Sequence, residues 1–150
     1  MDHSNRAADL FLSGSNCAQA VLLAFSDVTG LDEKTAATLS SSFGGGMGRL
    51  REVCGAVSGM LMVAGLLYGY AEPGEKDCDK KAHYQRVQYL AGQFREEVGS
   101  IVCREILKNP PSTPDPSPRT AEYYATRPCA RMVMTAARIL DRYIEEHPLA

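Results

Sequence analysis

The chain has 150 residues, 45% of them hydrophobic and 23% charged. That is the composition of a globular domain able to bury a sizeable core, and it excludes a wholly disordered chain. Its 16 basic and 18 acidic side chains leave a formal charge of −2, without the basic footprint that a nucleic-acid partner requires.

Helical periodicity runs through nearly all of it. The predicted class is all-α, a single-domain bundle over residues 1–150 with about five to seven helices around a central apolar one. Ala7 to Leu12 reads as a short helix stopped by Gly14. Ser15 or Asn16 caps a second helix from Cys17, on which Cys17, Val21, Ala24 and Val28 share one face up to Thr29-Gly30. Asp32 caps a third, through about Ser41.

Phe43-Gly44-Gly45-Gly46-Met47-Gly48 is the least helical stretch. It is no nucleotide loop, because no G-x-G-x-x-G register closes, no strand precedes it and no Gly-Lys-Ser/Thr follows. Its glycines predict backbone passing close to something, either the site at Cys54 or another helix. The N–H groups around Gly45, Gly46 and Gly55 are candidates to cradle an anion or a cluster.

Val53 to Ala71 carries no charge over 19 residues, long enough to be a membrane-span candidate. It also contains Gly55-x-x-x-Gly59 and Gly65-x-x-x-Gly69, the small-residue spacing of membrane helix pairs. Its Gly and Ala content, Ser58, Tyr68 and Tyr70, and flanks with no basic cluster beyond Arg49 and Arg51 favour the central buried helix of the bundle. No membrane span is expected. After a loop at Ala71 to Glu75, an amphipathic helix runs from Asp79 to Val98, burying Val87, Leu90, Ala91, Phe94 and Val98. Ser100 caps a short helix with Cys103, Ile106 and Leu107. Residues 109–118 hold five of the eight prolines and form a stiff surface loop or strap. The last helix spans about Thr126 to Glu146, with Cys129, Val133, Ala136, Leu140 and Ile144 near one face.

Five cysteines remain: Cys17, Cys54, Cys78, Cys103 and Cys129. No C-x-x-C occurs, which removes the thioredoxin motif, the zinc-ribbon knuckle and haem attachment. The opening Met1-Asp2-His3-Ser4-Asn5-Arg6 has no apolar h-region, so the expectation is no secretory signal and a cytoplasmic location, where disulfides are rare. Cys17, Cys103 and Cys129 fall in first turns of predicted helices, and Cys54 at or near a helix start. Unpaired N–H groups and the positive end of the macrodipole favour a thiolate there, the form that attacks and that ligates metal. Cys78 lies between Asp77 and Asp79, whose charges would make it a poor nucleophile, and it reads as an exposed, incidental thiol. His3, His83 and His147 read as surface residues. Glu52 beside Cys54 is thin evidence for a general base, and Arg104 and Arg131 follow two of the cysteines without needing a role.

The cysteine pattern resembles the C_GCAxxG_C_C family of bacterial and archaeal proteins, which bears the label redox-active. The mark is four cysteines with Cys-Gly-Ala-x-x-Gly at the second. Here that motif is Cys54-Gly55-Ala56-Val57-Ser58-Gly59, with Cys17, Cys103 and Cys129 at the other three places and a similar glycine stretch before it. The likeness runs from about Ser13 to Tyr143; Cys78 stands outside the four-cysteine pattern, and the Pro-rich loop looks like a local elaboration. It implies redox activity and brings no substrate.

The expectation is that Cys17, Cys54, Cys103 and Cys129 converge on one site. They would act there either as catalytic thiols in disulfide exchange or as ligands of one metal centre, an iron–sulfur cluster first and zinc next. The other-class alternative is a structural or interaction protein with buried inert thiols. The redox partner is unspecified, and a homodimer is expected only because two-fold assemblies are common.

Overall fold

A computed structural model describes residues 2–72 and 77–149, apart from the side chains of Asp77 and Cys78. The expectation that Cys78 is an exposed thiol therefore falls outside the described residues. The chain is all-α: α1 (Ser4–Leu12), α2 (Cys17–Ala24), α3 (Ser26–Thr29), α4 (Glu33–Ser40), α5 (Gly55–Tyr68), α6 (Asp77–Val98), α7 (Cys103–Ile106), α8 (Ala121–Thr126) and α9 (Cys129–Glu146). Six of these helices have eight residues or more.

The apolar α5 is central and packs against α2, α6 and α9, while α1 lies across α9 and α2. Phe11, Leu22, Val57, Met60, Phe94 and Leu140 are fully buried between them. The glycine spacing on α5 serves this packing. A Cβ at Gly59 would stand 2.7 Å from the Ala18 carbonyl oxygen, and one at Gly55 would stand 2.9 Å from that of Phe43. Only glycine lets α2 approach so closely. Among the described residues no helix is long and apolar enough to cross a membrane.

Two local features differ from the periodicity. The helix expected from Cys17 to Val28 ends at Ala24, and Val28 sits on the separate α3. Phe25 turns the chain there to bury its ring completely, stacked on His3 at 4.1 Å. The second is an isolated antiparallel bridge between Val53 and Val102. The Cys54 N–H donates to the Ile101 carbonyl (2.7 Å) and the Cys103 N–H to that of Glu52 (2.6 Å). A single bridge has no alternation to read in sequence, yet it ties the start of α5 to the start of α7.

His3 corrects an expectation outright. It is 5% exposed, not a surface residue, because Nδ1 faces Asp141 Oδ1 at 2.6 Å and Nε2 faces Asp27 at 3.0 Å. Burial pulls its pKa down, but the two carboxylates outweigh burial and raise it. A raised histidine pKa contributes stability below the unfolded value of about 6.5 and loses it as pH rises through the folded value. Unfolding free energy should therefore fall as pH rises above about 6.5. In His3→Ala that decline should vanish, with a loss at lower pH of roughly 1.5–3 kcal/mol for the charged hydrogen bonds. Urea melts at several pH values test this; an unchanged pH profile in the variant would contradict it.

Candidate functional site

Between α4 and α5 the backbone does something L-residues avoid. Gly45, Gly46, Met47, Gly48 and Arg49 all have positive φ, between 62° and 71°, and Arg51 follows at 63°. This is a turn of left-handed helix, closed by Gly48 N–H to the Gly44 carbonyl (2.9 Å) and Glu52 N–H to that of Gly46 (2.9 Å). Glycine tolerates it, whereas each of Met47, Arg49 and Arg51 carries a strain of about 1–2 kcal/mol. Such strain persists where surrounding contacts fix it, characteristically at functional sites.

Those contacts are made by the two arginines. Arg49 donates from Nε to the Thr113 carbonyl (2.8 Å) and from Nη1 to Ser117 Oγ (3.0 Å). Arg51 donates from Nε to the Pro111 carbonyl (2.9 Å) and from Nη1 to Cys103 Sγ (3.7 Å). The Pro-rich segment 109–118 is thus a strap held down by guanidinium groups. Pro116 and Ser117 line the cavity beneath it.

That cavity is about 200 Å³, and Cys17, Cys54, Cys103 and Cys129 all line it. Each is buried and each is a free thiol. Three of them open helices: Cys17 in α2, Cys103 in α7 and Cys129 in α9, while Cys54 is the residue that caps α5. Local sequence sets the starts. Asn16 and Gln19 form a reciprocal capping box in front of Cys17, at 2.9 and 3.0 Å. Pro128 turns the chain into α9 directly before Cys129.

Helix starts do not by themselves make thiolates here. Burial pushes Cys54 up to about 12 despite backbone N–H bonds from Ala56 and Val57 that pull it down. Burial also raises Cys103, against the pull of Arg51. Cys17 is raised well above its ordinary value, chiefly because its thiol hydrogen-bonds Cys129. Cys129 is the exception. The hydrogen bond from Cys17 lowers it to about 7, burial opposing and Arg127, Arg119 and Arg51 assisting. Cys129 is therefore the thiol that ionises most readily, while Cys17 is held protonated.

The cations doing this were not the ones adjacent in sequence. Arg104 pairs with Glu52 on the surface, which also removes Glu52 as a base for Cys54. Arg131 is exposed. Arg119 instead reaches the site from the end of the strap, stacked over Phe11 (4.6 Å) and Tyr123 (5.1 Å), and Arg127 lies over Tyr123 at 5.3 Å. The only sequence signal was the position of Arg127 two residues before Cys129.

Gly45, Gly46 and Gly55 all line the cavity, and close approach explains two of them. A Cβ at Gly46 would lie 2.6 Å from Cys103 Cβ and 2.9 Å from Arg51 Cα; one at Gly55 would lie 3.1 Å from Cys17 Cβ. The glycine stretch thus presses on Cys103 rather than on Cys54. Among the described residues no group of three or more His, Cys, Asp or Glu side chains is arranged to hold a metal ion. The four thiols divide instead between the Cys17–Cys129 pair, the backbone amides at Cys54 and the guanidinium at Cys103.

A family model described as "Putative redox-active protein (C_GCAxxG_C_C)" matches residues 15–143. No curated protein and no solved structure matches the chain.

Gly46→Ala should destabilise the fold by about 2–4 kcal/mol, from left-handed strain together with the clash at Cys103. Gly48→Ala, whose Cβ would meet nothing closer than 3.8 Å, should cost only the strain, about 1–2 kcal/mol. Denaturant melts of the two variants check the difference; equal losses would show that the Cys103 contact yields freely.

Proposed function

Because this chain belongs to the C_GCAxxG_C_C family, we propose that it works by thiol–disulfide exchange, with Cys129 as the attacking thiolate and Cys17 as the resolving thiol. The observation that supports this best is that Cys17 and Cys129 open two helices onto one buried cavity that Arg51, Arg119 and Arg127 also line. A nucleophile needs a thiolate fraction at ambient pH, and the best attacking thiol has a pKa near that pH. Cys129 meets the condition and its neighbours do not.

The electron balance is simple. The Cys129 thiolate attacks one sulfur of a disulfide R–S–S–R′, forming the mixed disulfide Cys129–S–S–R and releasing R′–S⁻. Cys17 then attacks Cys129 Sγ, its proton passing to the leaving sulfur as R–SH. A Cys17–Cys129 disulfide forms, the substrate gains two electrons, and the protein loses two. An external dithiol restores the starting state by the reverse exchange. Cys54 and Cys103 stay protonated and serve as the polarizable wall of the cavity. The capping box before Cys17 and Pro128 before Cys129 set these two helix starts, so neither thiol has to be drawn in from a mobile loop.

Peptide mapping after treatment of the reduced protein with a small disulfide tests the assignment. The expected product is a Cys17–Cys129 bond. Cys17→Ser should accumulate the mixed disulfide on Cys129, and Cys129→Ser should lose at least about 100-fold in rate, the scale of a lost thiolate nucleophile. Four unreactive thiols, or a bond confined to Cys54 and Cys103, would overturn it.

A further inference from the structure

One atom in the cavity has no counterpart. Arg51 is only 4% exposed, its Nε and Nη1 are occupied, and its buried Nη2 has no hydrogen-bond partner among the described residues. A guanidinium stays charged at every relevant pH. Burying such a donor without an acceptor costs on the order of 1–3 kcal/mol, and more because it is charged.

The surroundings do not supply the missing charge. Arg49, Arg51, Arg119 and Arg127 all line the cavity, and among the described residues no Asp or Glu lines it. Asp115 lies near enough to act on Arg49, yet burial and repulsion from Arg51 and Arg127 prevail there and lower the Arg49 pKa. The carboxylates that pair with arginines elsewhere, Glu33, Glu52 and Glu97, hold Arg6, Arg104 and Arg142 instead. One readily ionised thiol faces four fixed cations, so the cavity keeps an excess of positive charge even with that thiol ionised. Stabilising a single thiolate does not require so many, nor does it use Arg51 Nη2.

We infer that the cavity is built for a small anionic substrate, a disulfide bearing a carboxylate, whose carboxylate oxygens accept from Arg51 Nη2 while its sulfurs meet Cys129. Nη2 alone carries two N–H donors, and a charge-assisted bond from a guanidinium to a carboxylate oxygen is stronger than a neutral one. The strap explains how such a ligand is held apart from water. The carbonyls of Pro111 and Thr113 orient Arg51 and Arg49, and Pro116 and Ser117 form part of the lining. The sulfur half of this inference rests on the proposed thiol chemistry, whereas the anion half stands on the arginines alone.

Two measurements on the reduced protein separate the halves. Suberate, a dicarboxylate with the chain length of 3,3′-dithiodipropionate and no sulfur, should bind by calorimetry. Arg51→Lys and Arg127→Gln should each weaken it about ten-fold or more, the scale of a lost charged hydrogen bond. Arg127 makes no hydrogen bond to the strap, so its variant guards against a folding defect in the Arg51 variant. Oxidation by 3,3′-dithiodipropionate should be roughly ten-fold or more faster than by neutral bis(2-hydroxyethyl) disulfide, and faster still than by cationic cystamine. In Arg51→Lys and Arg127→Gln the three rates should draw together. No suberate binding, or cystamine reacting as fast as the dianion, would overturn the anion site whatever the thiols do. Suberate binding with no oxidation by any disulfide would leave the anion site standing and remove the thiol chemistry.

Discussion

The site depends on one buried guanidinium. Arg51 lies at a positive φ at the end of a left-handed turn, and its side chain reaches both the Pro111 carbonyl and Cys103 Sγ. Backbone bonds from Cys103 to Glu52 and from Arg104 to Arg51 fix the same point from the other side. Release of that side chain would untie the strap at Pro111 and leave Cys103 Sγ without its guanidinium partner. The strain in Met47, Arg49 and Arg51 therefore has a use: it sends two arginines under the Pro-rich segment and toward the thiols.

Around this anchor, a general rule about helix starts yields to burial. The first turn favours thiolates through free N–H groups and the macrodipole. Cys54 has such N–H bonds and still titrates near 12, because desolvation of a buried charge outweighs them. Cys103 opens a helix of only four residues, which has little dipole to offer. Cys129 escapes because three arginines and a donor thiol act on it at once. Selectivity among four similar cysteines thus comes first from the Cys17 neighbour and then from where the cations point, with helix position setting only the geometry.

Much of this was legible in the chain itself. The apolar run from Val53, the capping residues Asn16 and Asp32, the glycine breaks and the long amphipathic helix all appear where periodicity and capping chemistry put them. The cysteines at helix starts were legible too, and they line one cavity. What escaped has a common physical cause, which is contact between residues far apart in sequence with no periodic signature. His3 meets Asp141 across 138 positions, and Arg51 meets Pro111 across 60. The bridge from Val53 to Val102 is one pair long. Positive φ at Met47, Arg49 and Arg51 is imposed by such contacts, and no propensity scale favours it at those residue types.

The division of labour among the thiols can be measured residue by residue. Alkylation of the reduced protein at a series of pH values, followed by peptide mass spectrometry, gives the ionisation midpoint of each cysteine. Thiolate fraction rises with pH, so the Cys129 rate should climb through a midpoint near 7 while Cys54 stays unreactive until far more alkaline pH. Replacement of Cys17 by Ala should move the Cys129 midpoint upward, since the donated hydrogen bond is its largest stabilisation. Four cysteines ionising together at or above the ordinary thiol value, indifferent to Cys17, would contradict the account.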